Sequence, residues 1–310
     1  MPGIITTSSP QPVAGTTLPP LGVGLTWQGG LMPFIAREGH RLDYLEAVPD
    51  MLWLDRGPQR RPRYRDHREA LAAFAPLAQR VPVVAHSIGL SIGSAHRFDR
   101  AHVEQMSAWT TRHACPWHSD HLSFHLAQGQ HGEMNAGFTL PLPWDESTLD
   151  LLVPRIAMVR QHIPLPFLLE TNVYYMRMEQ NDYHEPEFLN QLCARSGCGL
   201  VLDLHNVYCN ARNHRFDPFA FMAALDLRHV GEIHLAGGME LDGFYLDAHR
   251  GTPPKEVWRL LDWVLPRATN LGGITFELFK DWIDELPEKN LIGVLERMRD
   301  SWQRLRRNAA

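Results

Sequence analysis

The sequence predicts an α/β fold, a (β/α)8 TIM barrel formed by a single domain. Short apolar runs bounded by turn residues alternate with helical patterns, and eight such runs occur in the 310 residues. Eight parallel strands close a barrel of this kind, and no linker interrupts the series. Runs such as V-P-V-V-A and G-L-V-L are continuously apolar, which is typical of parallel strands buried on both faces.

Each element is predicted from its local pattern. The expected strands are 21–26, 42–48, 82–87, 119–124, 167–171, 199–204, 232–235 and 273–278. The expected helices, several with a proline near the start, are 66–80, 100–112, 146–162, 186–196, 218–225, 253–265 and 288–307. Residues 129–143 are predicted to form an irregular loop. Residues 1–20 are expected to be a flexible tail, and residues 21–310 the catalytic barrel.

Composition restricts the classes of function. The net charge of −5 and the lack of a basic block before the last helix argue against a nucleic-acid partner. No run of 18 apolar residues is present to span a membrane, and no signal-peptide pattern opens the chain. The cysteines lack C-x-x-C spacing, so free thiols in a reducing compartment are expected: Cys115, Cys193, Cys198 and Cys209. The expected location is the cytoplasm.

Polar side chains able to bind a metal stand at the ends of the predicted strands. Catalytic groups of such barrels lie at the carboxyl ends of the strands, which makes these positions informative. The second strand ends near Glu46 and Asp50, and strands three to eight end in the following residues: His86, Asp120, His121, Glu170, Asn172, Asp203, His205, Asn206, His234 and Glu277. Several carboxylates that converge on one barrel mouth repel one another unless cations lie among them.

The stretch 230–249 adds the densest part of this pattern. A short apolar strand contains His234, small residues follow it, and Asp247 and His249 lie in the next loop. Imidazole and carboxylate groups without cysteine disfavour a thiolate-rich zinc or iron–sulfur site. The groups exceed what one ion binds, and a carboxylate such as Glu170 or Asp203 can bridge two ions. Iron, zinc and manganese all suit these residue types.

The local motifs resemble those of the multinuclear non-haem iron oxidases of the MbnB/TglH type. The matching strings are A-H-S-I-G-L-S-I-G-S at 85–94, S-D-H-L-S-F at 119–124, L-E-T-N at 169–172, L-D-L-H-N-V-Y-C-N-A at 202–211, I-H-L-A-G-G at 233–238 and D-A-H at 247–249. The resemblance spans about residues 20–280. The sequence departs from the family where Leu25 to Gly30 lack a histidine, at Asp50, where a glutamate is common, and at Gly238, where a histidine is often seen.

The resemblance implies an enzyme that uses O2 to modify cysteine residues of a ribosomally synthesised precursor peptide. It implies two or three iron ions, of mixed ferrous and ferric state, and these ligands: His86, His121, Glu170, Asp203, Asn206, His234, Asp247, His249 and Glu277. Asp120, Asn172 and His205 lie within two residues of ligands, so we expect them to orient imidazoles or to contact the substrate. The resemblance also implies a small partner protein that presents the leader peptide.

Two other functions are compatible with the same residues. A zinc- or manganese-dependent hydrolase or sugar isomerase, similar to endonuclease IV or xylose isomerase, would use a similar order of ligands on the same architecture. A metal-binding barrel without catalytic activity is the third interpretation. The metal content of protein purified without oxygen distinguishes the iron oxidase from the zinc or manganese enzyme. Oxygen uptake after addition of peptide distinguishes the oxidase from the non-catalytic barrel.

Overall fold

The structure is a closed barrel of parallel strands surrounded by helices, with short hairpins in the connections. The computed structural model describes residues 17–176, 178 and 181–309. The strands are β1 Gly22–Thr26, β2 Tyr44–Ala47, β3 Trp53–Asp55, β4 Tyr64–Asp66, β5 Val83–Ser87, β6 His118–His121, β7 Phe124–Gly129, β8 Gly132–Leu140, β9 Phe167–Glu170, β10 Gly199–Asp203, β11 Val230–Leu235, β12 Met239–Leu241, β13 Phe244–Leu246 and β14 Gly273–Phe276.

Helices connect the barrel strands on the outside. They are α1 Met32–Glu38, α2 Arg68–Ala78, α3 Arg100–Arg112, α4 Glu146–His162, α5 Glu185–Ser196, α6 Leu204–His214, α7 Pro218–Ala224, α8 Lys255–Val264 and α9 Glu288–Ala309. Short 3-10 turns lie at Gly29–Leu31, Gly39–Arg41, Pro49–Met51, Leu227–His229 and Lys280–Trp282. Among the described residues, no helix is both long and apolar enough to cross a membrane.

The predicted barrel is confirmed. Its strands are hydrogen-bonded in the order β1-β14-β11-β10-β9-β6-β5-β2, and β2 pairs with β1 to close the circle. Neighbouring strands in the barrel are parallel, as in the pairing of β10 with β11 and of β5 with β6. All carboxyl ends therefore point to one mouth, where the side chains at the strand ends meet.

The barrel interior is apolar at the bottom and polar above. A buried cluster of Leu18, Tyr44, Val84, Trp117, Leu168 and Val201 fills the lower part. Side chains alternate between the two faces of a strand, so the residue two positions later faces inward again. Tyr44, Val84, Leu168 and Val201 are followed in this way by Glu46, His86, Glu170 and Asp203, all buried. The apolar cluster therefore closes the barrel from below and leaves only the mouth open.

Two glycines make room for the largest ring in this cluster. A Cβ atom added at Gly24 or Gly273 would lie 2.4 Å from a side-chain atom of Tyr44. The Tyr44 ring packs edge-on against Trp117 with ring centroids 5.8 Å apart. Small residues on the flanking strands are therefore needed for Tyr44 to fill the barrel.

The connections differ from the sequence prediction in three hairpins and two helices. The prediction of an irregular loop at 129–143 is wrong, because β7 and β8 form an antiparallel hairpin that extends to Leu140. The hairpins β3–β4 and β12–β13 and the helices α1 and α6 are also absent from the sequence prediction. Helix α6 begins at Leu204, directly after β10, because the Asp203 carboxylate accepts hydrogen bonds from the backbone N–H groups of His205 and Asn206.

The predicted tail lies mostly outside the described residues. Of its last four residues, Leu18 is buried in the lower cluster, and its backbone N–H donates to Asn270 Oδ1 at 3.2 Å. The four cysteines are free and buried, as predicted.

One ion-pair network fixes a connection near the barrel mouth, and it yields a stability prediction. Asp99 caps helix α3 and lies 2.7 Å from a guanidinium nitrogen of Arg63, which precedes β4. Burial alone would raise the pKa of Asp99, but hydrogen bonds from Arg63 and Arg97 hold that pKa below its usual range. The Asp99→Asn variant keeps a capping side chain and loses the charge, so we expect it to lower the free energy of unfolding by about 1–3 kcal/mol at neutral pH.

The pH dependence of this loss follows from the direction of the pKa shift. A carboxylate with a lowered pKa in the folded state stabilises the fold above its unfolded pKa, and this contribution disappears as the pH falls through the folded pKa. The difference between wild type and Asp99→Asn should therefore shrink below about pH 4. Denaturant unfolding at several pH values measures it, and a difference that does not change with pH would contradict the assignment. Asp262→Asn, in an exposed pair with Arg304 at 3.2 Å, is the control and should cost less than about 1 kcal/mol.

Candidate metal centre

Glu170, at the end of β9, lies at the middle of the polar upper layer. One of its carboxylate oxygens, Oε2, is 3.3 Å from His86 Nε2 and 3.0 Å from His121 Nε2. The other, Oε1, is 3.3 Å from His234 Nδ1. The carboxylate is buried and reaches three imidazoles with its two oxygens. Glu170 is therefore placed to be shared between two ions.

Two groups of side chains around Glu170 have the spacing of a metal site. The first consists of His86, His121 and Glu170, and the second consists of Glu170, Asp203, His234 and Glu277. Within each group one donor atom per residue lies within 4.8 Å of the others. These residues come from β5, β6, β9, β10, β11 and the end of β14, so the closed barrel brings together six strand ends.

The imidazoles of His86 and His121 are oriented by acceptors behind them. Ser119 Oγ donates to the Ala85 carbonyl, so it accepts from His86 Nδ1 at 2.8 Å. His121 Nδ1 lies 3.2 Å from the Ser87 carbonyl oxygen, which can only accept. In both rings Nδ1 therefore carries a proton, and Nε2 faces Glu170. This is the arrangement that histidine ligands of metals require.

Asp203 and Asn206 each present one oxygen that has no partner. Asp203 Oδ1 accepts from the backbone N–H groups of His205 at 2.6 Å and Asn206 at 2.9 Å, whereas Oδ2 is buried without a hydrogen bond. The Asn206 amide donates to the Thr171 carbonyl at 3.1 Å and leaves Oδ1 buried without a partner. The start of helix α6 thus fixes both side chains and leaves one oxygen of each for a cation.

The loop after β11 adds a second carboxylate–imidazole arrangement. Asp247 Oδ1 is 2.8 Å from His205 Nδ1, and Asp247 Oδ2 is 3.0 Å from His249 Nε2. His249 Nδ1 is buried without a hydrogen bond and lies 3.8 Å from Glu277 Oε2. His249 has a φ of 47°, a left-handed conformation that non-glycine residues adopt rarely and mostly at functional sites. The loop therefore brings His249 to the edge of the second group.

These residues fit a bound cation. His234 Nδ1, like the oxygens of Asp203 and Asn206 and the nitrogen of His249, is buried without a hydrogen-bond partner. Buried polar atoms are nearly always satisfied, so these four atoms, on candidate ligands from β10, β11, α6 and the loop after β13, need an explanation. Burial and the neighbouring carboxylates of Glu170, Asp247 and Glu277 raise the pKa of Asp203 well above its usual range. Cations among them would satisfy the orphans and stabilise the ionised carboxylates.

Of the three residues predicted to support the ligands, His205 contacts a proposed ligand with its ring. Its Nδ1 lies 2.8 Å from Asp247 Oδ1, and the ring is buried. Asp120 Oδ1 accepts a hydrogen bond from the backbone N–H of His121 at 2.7 Å. Asn172 donates to the Leu122 carbonyl at 2.6 Å, which is a structural bond in the loop. Asp120 thus contacts the backbone of a candidate ligand, and Asn172 contacts the backbone of the residue after that ligand.

Glu46 is the residue at the centre to which the sequence analysis gives no role. It is buried, and its Oε2 lies 3.0 Å from His234 Nε2. Its position at the end of a predicted strand is a usable signal. The sequence does not show that β2 and β11, separated by β1 and β14 in the barrel, place these two side chains face to face.

Apolar side chains surround the mouth. Phe279 packs on the His249 ring with centroids 4.0 Å apart and is 44% exposed. Tyr175 accepts from the Asp247 backbone N–H with its hydroxyl at 3.0 Å, and Phe244 of β13 packs edge-on against its ring. Exposed aromatic side chains next to buried polar groups are typical of ligand-binding sites.

Comparisons with known proteins agree with the barrel fold and show the family. A UPF0276 protein from Anaeromyxobacter sp. (strain Fw109-5) is 33% identical over 257 residues, which cover 81% of this chain and 85% of that protein. The D-psicose 3-epimerase of Clostridium cellulolyticum H10 superposes with a TM-score of 0.56 at 11% identity, covering 92% of this chain and 98% of that one.

Endonuclease IV from Thermus thermophilus superposes with a TM-score of 0.52 at 14% identity, covering 92% of this chain and 99% of that one. At such identities the two structures support the barrel fold alone. The sequence matches a family described as RiPP precursor modification enzyme MbnB/TglH/ChrH over residues 22–287. The chain belongs to this MbnB/TglH/ChrH family of RiPP precursor modification enzymes.

Proposed function

We propose that this protein is a multinuclear non-haem iron-dependent oxidase that uses O2 to modify cysteine residues of a ribosomally synthesised precursor peptide. The observation that carries the proposal is Glu170, which is shared by two groups of nitrogen and oxygen donors in one buried centre. A shared carboxylate is the usual bridge between two ions. The membership in a family of RiPP precursor modification enzymes supports a peptide as substrate.

The proposed ligands fall into sets that would bind different ions. His86 and His121 would bind one ion, and Asp203, His234 and Glu277 would bind a second, with Glu170 between them. Asn206, Asp247 and His249 complete the proposed ligand set on the side of α6. When bound, the irons would supply a site for the substrate thiolate and the redox equivalents for reaction with O2.

The architecture fits such chemistry because an apolar layer lies beneath the centre. The cluster around Tyr44 and Trp117 fills the barrel below the ligands, so a peptide would approach them from the mouth. The exposed rings of Phe279, Tyr175 and Phe244 would contact the peptide around the reacting cysteine. A small partner protein that presents the leader peptide and a cytoplasmic location are further parts of this proposal.

Metal content and oxygen uptake test the proposed function. Protein purified without oxygen should contain about two or three irons per chain, and it should consume O2 only after addition of a Cys-containing precursor peptide, which is sought among short reading frames beside its gene. A peptide with serine in place of each cysteine is the matched control and should cause no uptake. Abundant zinc or manganese with little iron would favour the hydrolase or isomerase alternative. Full iron loading with no uptake, given peptide, would favour a non-catalytic barrel.

The shared position of Glu170 predicts a graded loss of metal. Glu277→Ala removes a donor from the second group only, so it should lose one metal equivalent and at least about 100-fold in turnover while the protein stays folded. Glu170→Ala removes the donor common to both groups and should lose more than one equivalent. Elemental analysis and circular dichroism measure both effects.

Glu296→Ala serves as the control for these variants. Glu296 is exposed on α9 and pairs with Arg41 at 2.9 Å, on the outside of the barrel. It should retain full metal content and activity. Unchanged metal content in Glu277→Ala would remove Glu277 from the site, and equal losses in Glu170→Ala and Glu277→Ala would argue against a shared carboxylate.

A further inference from the structure

His234 differs from His86 and His121 in the group that holds its ring from behind. A serine hydroxyl contacts His86 and a backbone carbonyl contacts His121. Behind His234 lies a carboxylate, because Glu46 Oε2 is 3.0 Å from its Nε2. Both side chains are fully buried. A buried carboxylate binds an N–H group more strongly than a neutral acceptor does.

The opposite nitrogen of the same ring faces the candidate ligands. His234 Nδ1 lies 3.3 Å from Glu170 Oε1 and 3.3 Å from Glu277 Oε2, and it is buried without a hydrogen bond. Two carboxylates and an unsatisfied imidazole nitrogen around one point form a place for a cation. The ring is thus held between a carboxylate on one edge and the candidate metal position on the other.

Glu46 is itself fixed in place. Thr26 Oγ1 donates to Glu46 Oε1 at 2.7 Å, and this leaves Oε2 for His234. Thr26 is buried on β1, the strand that pairs with β2. The three side chains therefore form a chain from β1 through β2 to β11 across the barrel interior.

A second buried carboxylate nearby is occupied by other donors. Glu232 accepts from Tyr44 at 2.9 Å and from Thr275 and Trp117 at 2.7 Å each, and its Oε1 is 3.8 Å from His234 Nε2. That distance is beyond a hydrogen bond. Glu232 thus belongs to the support of the lower cluster, and Glu46 is the carboxylate that contacts His234.

We propose that Glu46 is a positioning residue of the metal centre. It accepts the Nε2–H of His234, fixes the tautomer and the ring orientation, and so presents Nδ1 to the ion held by Glu170, Asp203 and Glu277. The negative charge behind the ring also makes His234 a more basic ligand than His86 or His121. This inference rests on the metal centre of the proposed function and does not depend on the metal being iron or on a reaction with O2.

Zinc binding tests the proposal without activity. Metal-free protein is titrated with zinc against a chelator, for wild type, Glu46→Ala and Glu46→Gln. We expect Glu46→Ala to weaken one zinc equivalent by about 10–100-fold, because a supporting carboxylate contributes that much to the affinity of a metal-bound histidine. Glu46→Gln keeps the volume and an acceptor oxygen, so it should recover part of the loss. Equal affinities in wild type and Glu46→Ala would overturn the proposal.

Proton NMR of the zinc-loaded protein supplies a readout that a merely structural residue would not change. A hydrogen-bonded imidazole N–H of His234 should give a signal at low field, identified by its loss in His234→Gln. The signal should disappear in Glu46→Ala and return, shifted, in Glu46→Gln. Its persistence in Glu46→Ala would overturn the proposal. Absence of the signal in the zinc-loaded wild type would also overturn the proposal. In that case His234 Nε2 and Glu46 would bind an ion directly, together with His86.

Tyr44→Phe is the matched control. Tyr44 is as buried as Glu46 and lies on the same strand, two positions earlier, but its hydroxyl contacts Glu232 and Thr275 and not His234. This variant should keep the zinc affinity and the low-field signal, and a loss of either would trace the effect to general damage of the buried layer. Absence of oxygen uptake by the iron-loaded wild type would contradict the proposed function and leave these zinc results unaffected.

Discussion

The structure depends on the convergence of buried carboxylates inside a closed barrel. Glu46, Glu170, Asp203, Glu232 and Glu277 are all buried inside the barrel. An uncompensated charge in a protein interior costs several kcal/mol, so these groups persist only if partners neutralise them. Glu232 is satisfied by hydroxyl and indole donors, and Glu46 by Thr26 and His234. Glu170, Asp203 and Glu277 face one another and the imidazoles. Cations bound there would neutralise the negative charge that the imidazoles leave uncompensated.

The scaffold holds this centre rigidly because most of its groups are on strands that the barrel fixes. The lower cluster fills the space beneath, and inward positions two residues later carry the polar groups. Asp203 serves the fold and the site together, since one oxygen caps α6 and the other faces the centre. Asp247 and His249 are the exception, because they come from a loop after the hairpin β12–β13.

The shared barrel and the family match support different conclusions about function. The epimerase and the endonuclease share the barrel at 11% and 14% identity, and one barrel supports many reactions. The family match over residues 22–287 brings in peptide modification. What the geometry adds is an arrangement in which single nitrogens and oxygens are left without partners around Glu170. That arrangement supports the choice of candidate metal ligands, but it does not identify the metal.

The sequence by itself determined the barrel and most of the candidate ligands, because continuous apolar runs and the polar residues that end them are local features. It did not yield the hairpin β7–β8, since Gly, His and Pro in 129–143 resemble a loop until the two strands pair. Asp120 and His121 are adjacent in β6, so the sequence suggests that they act together. Neighbouring side chains of a strand point to opposite faces, however, and Asp120 points out of the barrel. Only the tertiary structure decided that Glu46 faces His234. Their strands, β2 and β11, are not neighbours in the barrel, and no sequence pattern within either strand indicates that the two side chains meet inside it. Contacts of this kind follow from closure of the sheet, which sets the distance between residues 188 positions apart in the chain.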